Sequence, residues 1–208
     1  MIKVVGSSRR SFVFPAELPL AYAYYGDVGR LLNYLPYICL VRAYGPDRFR
    51  LLYSSTELGA YNIRIYADVQ TTLEEGWVVR VHPLSGHEPV AAQAGLHSSM
   101  AQGSFTSTSV FKDEGLQTRI EYSLQLQAQL PLPLGLRFMP GGMVNRIASS
   151  ITKMRIRDIV QGFIERSVDA FPHWLEELES DHAQPILLAA QPASGPDPNS
   201  REKGLEGG

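Results

Sequence analysis

The feature that most constrains this chain is a helical pattern running from about residue 140 to residue 178. At 100° per residue, Ile156, Ile159, Val160, Phe163, Ile164, Val168, Phe171, Trp174, Leu175 and Leu178 fall on one broad arc. Asp158, Glu165, Arg166, Asp169, Glu176 and Glu177 fall opposite. A helix this long with one wide apolar face needs an extended surface to cover it. Its first turns are out of phase with the rest. Val144, Ile147, Ile151 and Met154 share an arc that lines up with the polar face of the later half. The pattern therefore predicts either a kink between 154 and 157 or separate packing for the early turns.

The covering surface is legible upstream as alternation. Residues 61–71 set Tyr61, Ile63, Ile65, Ala67 and Val69 against Asn62, Arg64, Tyr66, Asp68 and Gln70. Residues 117–130 set Thr118, Ile120, Tyr122, Leu124 and Leu126 against Arg119, Glu121, Ser123, Gln125 and Gln127. One dry and one wet face is the mark of an antiparallel sheet. Further strands are expected at 11–14, 38–44, 48–54, 77–82 and 104–111. Two short helices are expected at 20–25 and 27–35, with Asp27 as an N-cap. Strands in a run, flanked by helices, indicate α+β rather than alternating βαβ. Residues 83–103 read as a long irregular loop, a feature often functional or mobile.

With 208 residues, 44% of them hydrophobic, one domain is the default. The expected division is an N-terminal arm at 1–10, the domain at 11–180, and a tail at 181–208. The Pro, Ala, Gly and Ser of that tail predict disorder. A net charge of −2 gives no global attraction to nucleic acid, so none is expected as a partner. Cys39 is the single cysteine, which excludes an internal disulfide and a cysteine-based zinc site. No apolar run reaches the roughly 18 residues of a membrane span. The expectation is a cytoplasmic protein, at most peripheral to an internal membrane.

Charge is distributed unevenly. Residues 131–157 carry Arg137, Arg146, Lys153, Arg155 and Arg157 with no Asp or Glu. One reading is a solvated basic face. The other is a contact with an anionic membrane, supported by the nearby Leu134, Leu136, Phe138, Met139 and Met143. Phosphate-loop, dinucleotide, zinc-helix and serine-elbow motifs are all absent, so no cofactor is expected. His82, His87, Glu88 and His97 cluster in sequence around the loop, but nothing in their spacing enforces a metal site. Arg64, Arg80, Arg119 and Glu121 lie mid-strand, where the plain expectation is cross-strand pairing on the wet face.

The order of elements resembles the START-like superfamily, also called the Bet v 1-like or polyketide-cyclase and lipid-transport group. The resemblance is carried by 12–16, by 19–25 and by the run Gly29-Arg30-Leu31-Leu32-Asn33-Tyr34-Leu35-Pro36. The segment from Leu130-Pro131 to Gly142 before the long helix looks like a branch found in cyanobacteria and plastids. The resemblance spans about residues 9–178. It implies a helix-grip fold, a curved antiparallel sheet wrapped around a long C-terminal helix. It also implies a cavity between the two for a lipid, isoprenoid or pigment, and no superfamily-wide catalytic residue. The cavity candidates are Tyr61, Ile63, Ile65, Trp77, Val79, Phe105, Tyr122, Leu124 and Met154. A cyclase or hydratase using acid/base groups in the same cavity, or an interaction module with a vestigial one, are the alternatives.

Overall fold

A computed structural model describes residues 1–189, with side chains described through residue 180. The chain opens with β1 (Ile2–Phe14), then α1 (Leu18–Gly26), α2 (Val28–Leu31) and a 3-10 turn over Leu32–Tyr34. Six strands follow: β2 (Ile38–Ala43), β3 (Arg48–Glu57), β4 (Tyr61–Glu74), β5 (Val78–Pro83), the two-residue β6 (Gln93–Ala94) and β7 (Ser98–Asp113). Then come β8 (Thr118–Leu130), a 3-10 turn at Leu134–Leu136 and α3 (Gly141–Ala189). Met1–Phe171 form one compact unit, and Pro172 begins a second.

The strands form a single sheet in the order β1-β8-β7-β5-β4-β3-β2. Neighbours are antiparallel with one exception. Where the short β5 ends, the start of β7 pairs directly and in parallel with the start of β4, Asn62 opposite Ser98 through Tyr66 opposite Gln102. The curved sheet with its long C-terminal helix is the helix-grip α+β class expected from the sequence.

Alternation puts the apolar set of each strand toward α3. Val69 and Ile120 are fully buried, and Leu51, Ile65, Phe105 and Leu124 nearly so. An aromatic cluster fills the core where β1 and α1 meet α3. Phe14, Tyr24, Tyr25 and Phe171 interlock with ring centroids 4.7–5.6 Å apart, and Tyr122 stacks on Phe163 at 4.7 Å. Offset and edge-on ring pairs contribute beyond their buried area. Ser167, fully buried on α3, ties the cluster together. Its carbonyl accepts from the Tyr24 hydroxyl at 2.8 Å, and its Oγ shares a hydrogen bond with the Tyr25 hydroxyl at 2.8 Å.

Two glycines set how close α3 comes. A Cβ on Gly6 of β1 would collide with Ile156 of α3, and one on Gly162 would meet Pro36 Cγ at 2.5 Å. A side chain at Gly6 would displace the end of Ile156, and one at Gly162 would strike the rigid Pro36 ring before β2.

Several expectations are corrected. Residues 2–10 are not an arm: β1 pairs with β8 from Ile2 opposite Leu130 to Phe14 opposite Thr118. The tail expected from 181 is helical to Ala189, and 190–208 lie outside the described residues. Trp174 and Leu175, expected on the buried arc, are half-buried. The helix has no interruption between 154 and 157. Its buried line runs Val144, Thr152, Ile156, Ile159, Val160, Phe163, Ser167, Phe171. Its buried positions recur at a spacing slightly longer than 3.6 residues per turn, so the line winds slowly around the helix. One helix thereby serves both arcs, with its first turns over a different part of the sheet.

The loop over 84–92 packs on the outer face of the sheet, away from α3, and does not gate the interior. Asp68, 4% exposed, is its anchor. It receives a bidentate hydrogen bond from Arg50 (2.7 and 2.8 Å), one from Gln102 (3.0 Å) and one from the Tyr44 hydroxyl (3.3 Å). Arg50 and Gln102 in turn hold the loop through Glu88 O and Val90 N, and His87 stacks on Tyr44. On the remaining wet face Arg80 pairs with Glu74 and Lys112 with Glu121 across strands, Arg119 pairs instead with Glu114 of the β7–β8 turn, and Arg64 is exposed.

Candidate functional site

The strand ends β3, β4, β1 and β8 converge at one end of the sheet, beneath the first turns of α3. A cavity of about 100 Å³ lies between them. The sheet supplies Ile2 and Val4, Tyr53, Ser55 and Glu57, Tyr61, Ile63 and Ile65, and Leu126 and Leu130. The helix supplies Val144, Ile147, Ala148, Ile151, Thr152, Arg155, Ile156 and Ile159. Leu136 and Met139, from the connection before α3, close the end, and Leu58 on the β3–β4 turn completes the mouth. The early apolar arc of α3 thus has its partner: it roofs a space rather than a packed sheet.

The wall is apolar with one polar pole. Glu57, 7% exposed, takes a bidentate hydrogen bond from Arg155 at 2.9 and 3.1 Å. Arg155 also donates to the Tyr37 hydroxyl at 3.1 Å and lies over that ring. The hydrogen bond to Glu57 raises the Arg155 pKa above its ordinary value, so the guanidinium stays charged. The pair closes on itself and spends the Arg155 charge internally. Beside it, burial pushes the Tyr53 phenol up, which makes its hydroxyl a donor rather than a base. Ser55 Oγ is buried beside the Tyr53 phenol, its near polar neighbour, without a well-formed hydrogen bond. An orphaned hydroxyl in a cavity wall costs about 1–3 kcal/mol until something accepts from it or donates to it.

Of the cavity candidates, Tyr61, Ile63 and Ile65 line this space. Val79, Phe105 and Tyr122 line a separate void of about 30 Å³ deeper under α3, beside Tyr25 and Phe163. Leu124 is core and walls neither interior space. Trp77 is misplaced: it sits in the β4–β5 turn with φ 62°, 42% exposed, edge-on to Tyr22. The turn breaks the alternation that placed it inside. Met154 is 48% exposed, because the winding buried line reaches Arg155 where the early arc extrapolates to 154.

Of the basic residues, Arg137, Arg146, Lys153 and Arg157 are exposed. Arg155 is not part of that surface, being held by Glu57. The histidines do not gather: His87 is on Tyr44 and His97 edge-on to Tyr61. Among the described residues no three metal-ligating side chains come together. Nor is any described helix long and apolar enough to cross a membrane. Sequence reasoning missed Tyr53, Ser55, Glu57 and the inward role of Arg155. The spacing from residue 57 to residue 155 carries no local signal.

No family model and no curated relative matches the sequence. Among solved structures the chain is similar to a Thermus thermophilus protein (20% identity, 79% of this chain and 99% of that one, TM-score 0.47). It is also similar to the ZhuI aromatase/cyclase of a Streptomyces species (10%, 83% and 94%, 0.43). A third is a START superfamily protein of Mycobacterium smegmatis (12%, 77% and 97%, 0.37). None of the three is cyanobacterial, and at these identities the likeness bears on neither ligand nor reaction.

Proposed function

We propose that the chain binds a hydrophobic or amphipathic small molecule, of the lipid, isoprenoid or pigment kind, in the cavity under the first turns of α3. The observation that carries this is an interior space walled by aliphatic side chains and carrying one orphaned hydroxyl, Ser55 Oγ. Apolar pockets with a few placed polar groups are the usual form of small-molecule sites. The tail of the ligand lies against Ile63, Ile65, Ile151 and Ile156. Its polar end meets Ser55 and Tyr53.

Size sharpens the reading. A cavity of roughly 150 Å³ accepts benzene, and drug-sized sites are about 300–1,000 Å³. The present 100 Å³ therefore holds only part of a lipid. A full-length ligand displaces the cap formed by 134–139 and the start of α3. That cap is tied to its neighbours by Leu134 N to Gly95 O and Gly135 N to Leu96 O, both 3.0 Å.

A second reading, cyclase or hydratase chemistry on the same ligand, is favoured by the Ser55 and Tyr53 hydroxyls at one pole. The test for both begins with native mass spectrometry and organic extraction of the purified protein, followed by titration with a fluorescent fatty acid. We expect a co-purifying apolar molecule or a saturable probe that Ile151→Trp excludes. A chain that carries nothing and binds no probe refutes the binding reading. Turnover of a bound ligand would establish the second.

A further inference from the structure

We infer that the rim of the cavity is a docking face for an anionic lipid bilayer, with Phe138 as the inserting side chain. Phe138 is 96% exposed, on the turn between Leu136 and Met139, both of which wall the cavity. A fully solvated Phe forgoes about 1.5–3 kcal/mol of burial. It is not alone. Leu96 (61%) and Leu134 (40%) are brought together by the backbone hydrogen bonds joining 134–135 to 95–96. Leu58 (64%) lies at the mouth, and Met143 (51%) is beside the cavity residue Val144.

These side chains project from three separate turns and the first turn of α3, rather than forming one flat or grooved surface. Points of that kind suit a fluid apolar phase that closes around each of them. A folded partner would need a matching pocket for every one.

Charge selects the type of bilayer. Residues 131–157 contain no carboxylate. Arg137, Arg146 and Lys153 are exposed and outside every ion pair among the described residues. The one basic side chain of the early helix whose charge is spent internally is Arg155. Basic residues beside protruding aromatic and aliphatic ones are the pattern of interfacial binding to anionic lipid. The purpose of docking, loading the cavity from the membrane, rests on the ligand reading above. The docking itself stands on the rim.

The test is flotation of the full chain with phosphatidylcholine vesicles, with and without phosphatidylglycerol, at low and high salt. The wild type is expected on phosphatidylglycerol vesicles at low salt and to be released by high salt. Phe138→Glu should weaken binding about tenfold or more. Reversal of Arg137, Arg146 and Lys153 together to Glu should weaken it roughly a hundredfold. All these positions are exposed, so melting temperatures should not change. A wild type that ignores phosphatidylglycerol vesicles, or that self-associates on gel filtration instead, overturns the inference, as do variants that dock as well as the wild type. Native mass spectrometry on the same samples separates the two readings. Interior ligand without docking leaves the cavity reading standing, and docking without ligand leaves the membrane face standing.

Discussion

Ile156→Ala measures the cavity directly. Ile156 is 2% exposed and lies between β1 and the space under α3. The substitution removes three carbons, about 2.4 kcal/mol at roughly 0.8 kcal/mol each. The void it leaves joins an existing one, so the walls have little chance to collapse. At about 24 cal/mol per Å³, each further 40 Å³ or so of void adds about 1 kcal/mol. The expected loss is therefore about 3 kcal/mol, and for a chain of this size the melting temperature should fall by about 6–12 °C. The enlarged space should then accept benzene. At ten times its dissociation constant, benzene returns about 1.4 kcal/mol. The assay is thermal unfolding with and without benzene, with Val160→Ala as control, since Val160 is 1% exposed but does not border the cavity. A fall below about 2 °C, or benzene rescue equal in both variants, would refute the assignment of Ile156 to the cavity wall.

Other outcomes follow from the polar contacts. Burial alone would push the Asp68 carboxyl up, but hydrogen bonds from Arg50 and Gln102 hold it below its ordinary value of 3.8. A depressed carboxylate stabilises above its unfolded pKa and loses that contribution as pH falls through the folded one. The stability gap between wild type and Asp68→Asn, by urea unfolding, should accordingly be constant near neutrality and shrink below about pH 4. Ser167→Ala strands the Tyr25 hydroxyl and should cost about 1–3 kcal/mol in the same assay. Glu57→Gln leaves Arg155 facing a neutral amide. The expected cost is about 2–3 kcal/mol, below the range for fully buried pairs, because Arg155 is a fifth exposed and keeps Tyr37 and Asp158. An unchanged midpoint would show that the pair contributes nothing.

The parts of the fold that were legible in the sequence are those whose inward positions are large and apolar. Residues 117–130 and 61–71 alternate cleanly because each inward side chain fills core. The alternation in β1 is visible only from Ser11, because the positions before it on the inward line include Gly6, packed against the end of Ile156, and the polar Ser8 and Arg10. The start of β7 looks like loop in the sequence for a related reason. Its inward residues are Ser99, Ala101 and Gly103, and a Cβ on Gly103 would reach Ile65 at 2.5 Å. Small residues mark close approach, and they erase the hydrophobic period that reveals a strand. On α3 the same effect operates at Ala148 and Thr152, which continue the buried line but do not look buried. The candidate site was half legible. Tyr61, Ile63 and Ile65 follow from alternation. The pole of Tyr53, Ser55, Glu57 and Arg155 depends on where β3 ends under α3, which no local pattern records.

The β1–β8 ladder governs how this chain can fold as it is made. Ile2 pairs with Leu130, and no strand between them in sequence gives β1 a partner. At synthesis rates of about 5–20 residues per second, β1 waits on the order of ten seconds before β8 exists. α3 emerges later still. In that interval the inward side chains of β1, including Ile2, Val4 and Phe14, are uncovered and one whole strand edge is open. Non-local pairings of this kind are slow and favour aggregation. The vulnerable species during production is thus a nascent chain lacking its last strand and helix. A circular permutant that joins β8 to β1 by a short hairpin should fold faster than the natural order.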